Sequence, residues 1–222
     1  MNRCNLVFFI SLLLMQCAKP LALPEILQKI YPTQSENGYN IPKSESDLIA
    51  SSGGNSTYGE ITPEGVHRLI QELGIYPNDV FFDLGSGLGK MVIQMYLETP
   101  VKKSIGIELS SQRFRLAEQA KDLLRAQGHY DRKRELRFSN SNILNVPLDE
   151  ATIIFTNSLC FSDEFMQKLL KQMSRLPKLH TVISTKQFPE NPYLILSKQL
   201  LLPMSWSQQS PVYIYRLEKS SR

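Results

Sequence analysis

Residues 80–90 constrain the fold of this chain more than any other stretch of its sequence. They read VFFDLGSGLGK: an apolar run ends in Asp83, glycines follow at positions 85, 87 and 89, and the residues after them have the composition of a helix. A strand that leads through a glycine-rich turn into a helix N-terminus is the first βα unit of a nucleotide-binding sheet. Glycines permit the tight turn and let the backbone approach a ligand that a Cβ atom would push away.

The spacing of the glycines favours one cofactor. The dehydrogenase fingerprint is G-x-G-x-x-G, whereas this chain has an acid followed by G-x-G-x-G. The acid-preceded form resembles that of class I methyltransferases, whose ligand S-adenosylmethionine (SAM) carries an ammonium and no phosphate. The next apolar run, residues 103–109, contains Glu108, and an acid there can accept both ribose hydroxyls. A glycine-rich turn without a ligand is the alternative, and the order of strand, acid, glycines, helix and second acid argues against it.

The rest of the pattern predicts an α/β fold, a doubly wound, seven-stranded, mostly parallel sheet of the Rossmann-like class I methyltransferase kind. Residues 136–139, 152–156 and 180–184 are further strands, and residues 194–206 and 211–218 suggest an antiparallel hairpin at the sheet edge. Helices are predicted at residues 23–31, 62–74, 111–127 and 162–176, with Thr62 and Ser162 as N-caps. Residues 32–56, rich in Ser, Asn, Gly and Pro, are predicted to form a long loop. Inward positions of the helix at residues 111–127 are Phe114, Ala117, Ala120, Leu123 and Leu124.

Residues 1–22 are predicted to be a secretory signal peptide. Asn2 and Arg3 form a short basic region, residues 6–15 are an uncharged apolar run, and residues 18–22 supply small side chains for cleavage after Ala22. The run is short for a transmembrane helix, although a retained membrane anchor and a misassigned start codon are the alternatives. The mature protein is thus expected to be secreted or periplasmic, with a lead-in helix and loop at residues 23–57 and a methyltransferase domain at residues 58–218.

Composition argues against several other classes of protein. The 25 basic and 21 acidic residues give a net charge of +4, and loss of two basic residues with the leader leaves +2, which is too weak to predict nucleic-acid binding. The three histidines lack metal-ligand spacing, so no metal is expected. Cleavage would leave Cys160 without a disulfide partner, and we expect it to be a small buried hydrophobe. A basic cluster is interpreted as a solvated face, with substrate docking as the less favoured role: Arg132, Lys133, Arg134 and Arg137.

Motifs beyond the glycine turn resemble those of one family. The motifs occur in order: Tyr58-Gly59-Glu60, the DLGSGLG turn, Gly106-Ile107-Glu108, IIFTNSLCF, STKQFP at residues 184–189, Ser205-Trp206 and Pro211-Val212-Tyr213. Over residues 58–218 the set is similar to the disruptor-of-telomeric-silencing (Dot-type) histone-lysine methyltransferases, which lack a SET domain. The turn after the fourth strand does not contain the N-P-P-aromatic or S-P-P-aromatic motif of methyltransferases that modify adenine or cytosine. A nucleobase is therefore not the expected acceptor.

The resemblance implies a SAM site. In this site, the loop at residues 58–62 closes over SAM, with Glu60 near the methionine part of SAM. Glu108 binds the ribose. Asn142 and Ile143 fall where the family has an acid and an aromatic residue on the adenine; Asn can still accept a hydrogen bond, but Ile loses the stacking. The full set of predicted cofactor-binding residues is Tyr58, Glu60, Ile61, Thr62, Asp83, Gly85, Ser86, Gly87, Gly89, Lys90, Glu108, Asn142, Ile143 and Asn157.

The resemblance also implies a SAM-dependent protein-lysine N-methyltransferase, with a histone among its candidate acceptors. The protein is expected to be a monomer. Asn157 matches the family's asparagine beside the methyl group, whereas Ser158 departs from the second asparagine of the pattern. Phe161, with Trp206 or Tyr213, would line the lysine channel, and Tyr213 is the tyrosine assigned to catalysis. The family's basic DNA-binding extension is missing, so a small molecule or a non-histone protein is the alternative acceptor. Because SAM is made in the cytosol, a bacterial enzyme exported into another cell would reconcile a signal peptide with this activity.

Overall fold

The computed structural model describes residues 22–31 and 38–218, so residues 1–21 of the predicted leader lie outside it. Within these ranges, no helix combines the length and the apolar character needed to cross a bilayer.

Seven strands form one sheet, in the order β3-β2-β1-β4-β5-β7-β6. Its strands are β1 (Val80–Leu84), β2 (Lys103–Glu108), β3 (Glu135–Asn140), β4 (Ile153–Thr156), β5 (Thr181–Ser184), β6 (Leu194–Met204) and β7 (Ser207–Leu217). The first five strands pair in parallel, and the β6–β7 hairpin joins antiparallel to β5 at one edge. The predicted α/β fold class and the edge hairpin are confirmed.

Both faces of the sheet are covered, which is why β1 is apolar at consecutive positions. Phe82 packs into the core on the side of the helix at Asp163–Met173, whereas its neighbour Phe81 packs on the side of the helices at Pro63–Gln71 and Lys90–Glu98. The helices are α1 (Leu23–Ile30), α2 (Lys43–Ser51), α3 (Pro63–Gln71), α4 (Lys90–Glu98), α5 (Ser111–Ala126) and α6 (Asp163–Met173). Thr62 and Ser162 cap α3 and α6 by accepting hydrogen bonds from backbone N–H groups three residues on, as predicted.

Two sequence predictions about helices were wrong. The loop predicted at residues 32–56 contains α2, whose Ile49 is buried and whose Glu45 accepts a hydrogen bond from Ser110. Tertiary contacts thus form a helix that composition did not indicate. In α5, Leu123 is 40% exposed, and the buried stripe runs through Arg113, Ala117, Ala120 and Leu124, a spacing of three to four residues that leaves position 123 beside the stripe.

Candidate active site

A cavity of about 240 Å³ opens where the carboxyl ends of β1, β2 and β4 meet, the usual place for a ligand in an open α/β sheet. A smaller cavity of about 40 Å³ adjoins it and shares Asn157 and the glycine turn. The larger cavity is lined by eight of the predicted site residues: Tyr58, Gly85, Gly87, Glu108, Asn142, Ile143, Asn157 and Phe161. The smaller one adds Glu60, Ile61, Asp83, Ser86 and Lys90.

The glycine turn forms the floor that both cavities share. Gly85 and Gly87 have φ angles of 92° and 54°, in the left-handed region that side chains disfavour. The N–H groups of Gly85 and Ser86 donate to the Ile107 carbonyl at 2.9 and 3.0 Å, which ties the turn to β2. A Cβ atom at Gly87 would lie 2.7 Å from the ring of Tyr58, so the loop that carries Tyr58 packs directly on the turn.

Glu108 is a buried carboxylate that faces the larger cavity. Its Oε1 accepts from the N–H of Ser110 and its Oε2 from the N–H of Gly87, each at 2.8 Å. Burial raises the pKa of Glu108, and the positive charge of Arg113 opposes that rise. Each carboxylate oxygen can accept more than one hydrogen bond, so the group can still receive the two hydroxyls of a ribose.

Asp83 has a polar atom that no described residue satisfies. Its Oδ1 is buried without a hydrogen-bond partner among the described residues, and so is the Oγ of Ser86. Burial, and then the charge of Glu108, raise the pKa of Asp83 well above its usual value. Unsatisfied buried polar groups are rare in native proteins and call for an explanation. A cationic ligand group in the smaller cavity would supply one.

Opposite charges meet on the far wall of the smaller cavity. The ammonium of Lys90 donates to Glu60 Oε2 at 2.6 Å, and the hydroxyl of Tyr58 donates to Glu60 Oε1. Together with Asp83, these groups give the cavity two carboxylates and one ammonium. That arrangement is complementary to an amino-acid group, which carries one charge of each sign.

The residues predicted beside the adenine form one wall of the larger cavity. Asn142 Oδ1 accepts from the N–H of Leu144 at 2.9 Å and caps a short 3₁₀ turn, Ile143–Asn145. Ile143 is 8% exposed and presents an apolar surface to the cavity. This wall supplies an apolar contact from Ile143 and one side-chain amide from Asn142.

Asn157 links three parts of the site. Its Nδ2 donates to the Gly59 carbonyl at 2.9 Å, and its Oδ1 accepts from the hydroxyl of Thr185 at 2.9 Å. Thr185 also accepts from the N–H of Leu159 at 3.1 Å. Sequence reasoning missed Thr185, although it directly follows β5 and lies within the STKQFP motif. Its hydrogen bonds fix the orientation of the Asn157 amide.

Aromatic side chains surround the mouth of the larger cavity. Phe161 packs edge-on against Phe165, with ring centroids 4.8 Å apart. Trp206 is 43% exposed and lies so close to Gly59 that a Cβ atom there would be 2.5 Å from its ring. Cys160, expected to be buried, is exposed at this mouth, because the turn after β4 runs along the cavity rim.

Tyr213, predicted to be catalytic, does not line either of these two cavities. It pairs with Ser184 in β5 and with Gln199 in β6, and its ring packs half-buried against the core beside α6. Trp206, at the turn of the same hairpin, lines the cavity instead. Thr62 also lies outside both cavities, because its hydroxyl caps α3 and donates to the Pro203 carbonyl.

Gly89, predicted to bind the cofactor, does not line either cavity and packs tightly against its neighbours. Its φ is 79°, and a Cβ atom there would lie 2.4 Å from the ring of Phe138 and 3.1 Å from Ala117. It therefore lets α4 approach β3 and α5 closely, away from both cavities.

Gly89→Ala is expected to lower the free energy of unfolding by about 2 kcal/mol or more, because left-handed strain costs about 1–2 kcal/mol and overpacking about 1–3 kcal/mol. Gly128→Ala is the matched control, since Gly128 has the same φ of 79° with no atom within 4 Å of a built Cβ. Urea unfolding of both variants measures the difference. Equal losses in the two would contradict the packing role of Gly89.

Two of the four residues of the basic cluster, Arg134 and Arg137, make contacts within the fold. Arg134 stacks on Tyr96 at 4.3 Å from its ring centroid and donates to the Thr99 carbonyl at 2.7 Å. Arg137 pairs with Glu135 and Glu150. No cluster of three or more potential metal ligands occurs among the residues that the structure describes.

Comparison with known proteins shows the family and the fold of this chain. Residues 41–212 match the family described as "Histone methylation protein DOT1". Its relatives include histone-lysine N-methyltransferases described as H3 lysine-79 specific. The one from Caenorhabditis elegans is 32% identical over 145 residues, covering 62% of this chain and 15% of that protein. The one from Emericella nidulans is 28% identical over 172 residues, covering 74% of this chain and 34% of that protein. The chain thus spans about a third or less of the length of these relatives.

Solved structures show the same fold. An RNA methyltransferase from Salinibacter ruber superposes with a TM-score of 0.53 at 20% identity, covering 71% of this chain and 92% of that one. Mitomycin 7-O-methyltransferase gives a TM-score of 0.51 at 13% identity, covering 70% of this chain and 54% of that one. These similarities establish a Rossmann-like class I methyltransferase fold. Because the family match extends over more than half of the 222 residues, the chain belongs to the DOT1 family of histone methylation proteins.

Proposed function

We propose that this chain is a SAM-dependent protein-lysine N-methyltransferase. The observation that carries the proposal is that Asn157 lines both cavities, the smaller one with the acidic residues Asp83 and Glu60 and the larger one with the aromatic residues Phe161 and Trp206. A group that has to meet both a cofactor and an acceptor is expected at such a point. Because the relatives are described as H3 lysine-79 specific, a histone H3 lysine is the first acceptor to test.

The residues present fit SAM along its whole length. Glu108 can accept the ribose hydroxyls, and the wall formed by Asn142 and Ile143 can hold the adenine. Asp83, whose Oδ1 has no partner among the described residues, can receive the ammonium of the methionine part. When bound, SAM supplies a methyl group activated by a positively charged sulfur.

The chain's own residues prepare the acceptor. A lysine amine must be neutral to attack, and its usual pKa is about 10.4. Phe161 and Trp206 line the cavity with apolar surface. Loss of water beside this surface lowers the pKa of an entering lysine. Of the described residues that line the larger cavity, the charged ones are Glu108 and Arg113, and both lie on the β2–α5 side. Deprotonation on entry therefore replaces a dedicated base.

Alignment supplies much of the rate of such a displacement. Because Thr185 and the Gly59 carbonyl fix the amide of Asn157, that amide can orient the incoming amine. The aromatic faces of Phe161 and Trp206 can each stabilise a methylated ammonium by about 0.5–2 kcal/mol.

Labelling with tritiated SAM tests the function. The purified chain is incubated with histones, nucleosomes and whole lysates, and the labelled band is digested and sequenced by mass spectrometry. We expect methyl groups on a lysine ε-amine, with the Glu108→Ala variant as the background control. Label on glutamine, arginine, a nucleobase or a metabolite, with lysine unlabelled, would discard the proposal.

We also propose that residues 1–22 are removed as a signal peptide and that the enzyme is secreted or periplasmic. The proposal rests on the three-part sequence pattern and is supported by the start of α1 at Leu23, directly after the predicted cleavage site. An exported bacterial enzyme of this kind would need to reach a cell that contains SAM.

Mass spectrometry of the intact product from a secretion-competent bacterium is expected to give a chain that begins at Leu23. Recovery of the exported protein with residues 1–22 still attached would refute cleavage and favour an anchor.

A further inference from the structure

Arg113, in the first turn of α5, is a buried arginine that sequence reasoning did not identify as part of the site. It is 5% exposed, and it lines the larger cavity. Its Nε donates to the Gly38 carbonyl at 3.0 Å and its Nη2 to the Ser56 carbonyl at 2.7 Å. Its guanidinium also stacks on the ring of Tyr58, 4.7 Å from the centroid. One side chain thus holds both ends of the segment that precedes the glycine turn.

We call residues 38–59 the cover segment, because they form one side of the larger cavity. The first turn of α5 anchors this segment at further points. Ser110 Oγ donates to Glu45 at 2.5 Å, and Gln112 Nε2 donates to the Asn40 carbonyl at 2.6 Å. The cover-segment residues that line the cavity are Ile49, Ser52, Gly54, Asn55, Thr57, Tyr58 and Gly59.

Arg113 lines the same cavity as Glu108, and its positive charge opposes the rise that burial causes in the pKa of Glu108. Other carboxylates lie nearby: Asp83 of β1 interacts with Glu108 by charge, and Glu45 of α2 binds Ser110, whose backbone N–H donates to Glu108. Arg113 is the cation whose charge acts on Glu108, whereas Lys90, paired with Glu60, lines the smaller cavity together with Asp83. A buried carboxylate depends strongly on such a partner.

We propose that Arg113 is a positioning residue for the cofactor. Its side chain fixes the cover segment over the cavity and supplies the counter-charge of the Glu108 carboxylate. The inference rests on the proposed function, because it takes Glu108 as the group that receives the ribose.

The pH dependence of cofactor binding distinguishes a counter-charge role of Arg113 from a purely structural role. If Arg113 only stabilised the fold, its removal would weaken cofactor binding equally at every pH. If it supplies the counter-charge, its removal raises the pKa of Glu108 further. Glu108 then becomes protonated, and loses acceptor capacity, at a higher pH than in the natural chain. Binding to an Arg113 variant should therefore recover as the pH rises.

Calorimetry with S-adenosylhomocysteine, from about pH 6 to about pH 9, tests the counter-charge. For Arg113→Met we expect an affinity about tenfold to a hundredfold lower near neutral pH, the range for lost bonds to a charged group, with partial recovery at the alkaline end. Arg113→Lys keeps the charge and should lose less. Arg125→Met is the matched control, since Arg125 lies in the same helix and stacks on Tyr130 at 4.7 Å; its affinity should equal that of the natural chain.

Hydrogen exchange of the ligand-free chain tests the cover segment without any cofactor. Amides of residues 38–59 should exchange faster in Arg113→Met than in the natural chain or in Arg125→Met, while those of β1 and β4 stay protected. The proposal would be overturned if residues 38–59 of Arg113→Met were as protected from exchange as those of the natural chain. It would also be overturned if Arg113→Met lost the same affinity at every pH. Failure of the natural chain to bind the probe would count against the proposed function, and the exchange result would still decide the inference on the cover segment.

Discussion

Asn157→Ala is expected to lower the turnover of methyl transfer by about tenfold to a thousandfold, the scale for one positioned polar group, while the affinity for SAM changes little. Asn157 lies where β4 opens into the cavity, and its amide is held by the Gly59 carbonyl and by Thr185. A group that orients the amine acts in the transition state more than on the bound cofactor. Steady-state kinetics with the acceptor found by labelling, together with calorimetry for SAM, measure the two effects.

Neighbouring variants separate orientation from local unfolding. Thr185→Val leaves the amide of Asn157 in place but removes the hydroxyl that orients it, so turnover should fall less than in Asn157→Ala. Ser158→Ala is the control, because Ser158 is buried against Ser184 and does not line either cavity; its turnover should stay close to that of the natural chain. A loss in Asn157→Ala that is confined to SAM affinity would remove Asn157 from the chemical step.

Glu108→Ala is expected to weaken SAM binding by about 1.5–3 kcal/mol, the range for a lost hydrogen bond to a charged group. The substitution removes the ribose acceptor, and it also leaves the N–H groups of Gly87 and Ser110 without their partner. Glu108→Gln retains the shape and one acceptor oxygen, so its loss of SAM affinity should be smaller.

Asp83→Ala should weaken SAM binding by an amount similar to that of Glu108→Ala, because it removes the acceptor for the ammonium. Unchanged calorimetric affinity in both alanine variants would sink the assignment of the site.

The pH dependence of stability provides an independent test of the role of Asp83 in the smaller cavity. Burial raises the pKa of Asp83 in the folded chain, so between its unfolded and folded pKa values the folded state binds more protons than the unfolded state. The free energy of unfolding of the ligand-free chain should therefore fall as the pH rises through this range. Asp83→Asn should reduce that fall while still weakening SAM binding. Removal of the Asp83 charge would then favour the stability of the ligand-free fold and disfavour SAM binding. Such opposite effects are expected of a group that is retained for function.

Local patterns were sufficient to predict the fold and to place the glycine turn and Glu108 at the same cavity. The apolar run, the acid and the glycines at residues 80–90 lie together in the chain, and the geometry of a strand, a tight turn and a helix start follows from them. Glu108 could be predicted because it ends the next parallel strand, and the carboxyl ends of adjacent parallel strands meet at one edge of the sheet. The edge hairpin was predictable for the same reason, since it is formed by neighbouring residues.

Contacts between distant residues decided the rest, because they leave no periodic signal in the sequence. Asn157 bonds to Gly59, 98 residues away, and Arg113 bonds to Gly38, 75 residues away. The helix α2 within the predicted loop forms where such contacts hold the cover segment on α5. Trp206 lines the cavity in place of Tyr213 because strand pairing, not sequence spacing, sets which side chains of the hairpin reach the site. Sequence alone determined the sheet and its glycine turn; the closing of the site over that turn was decided by tertiary packing.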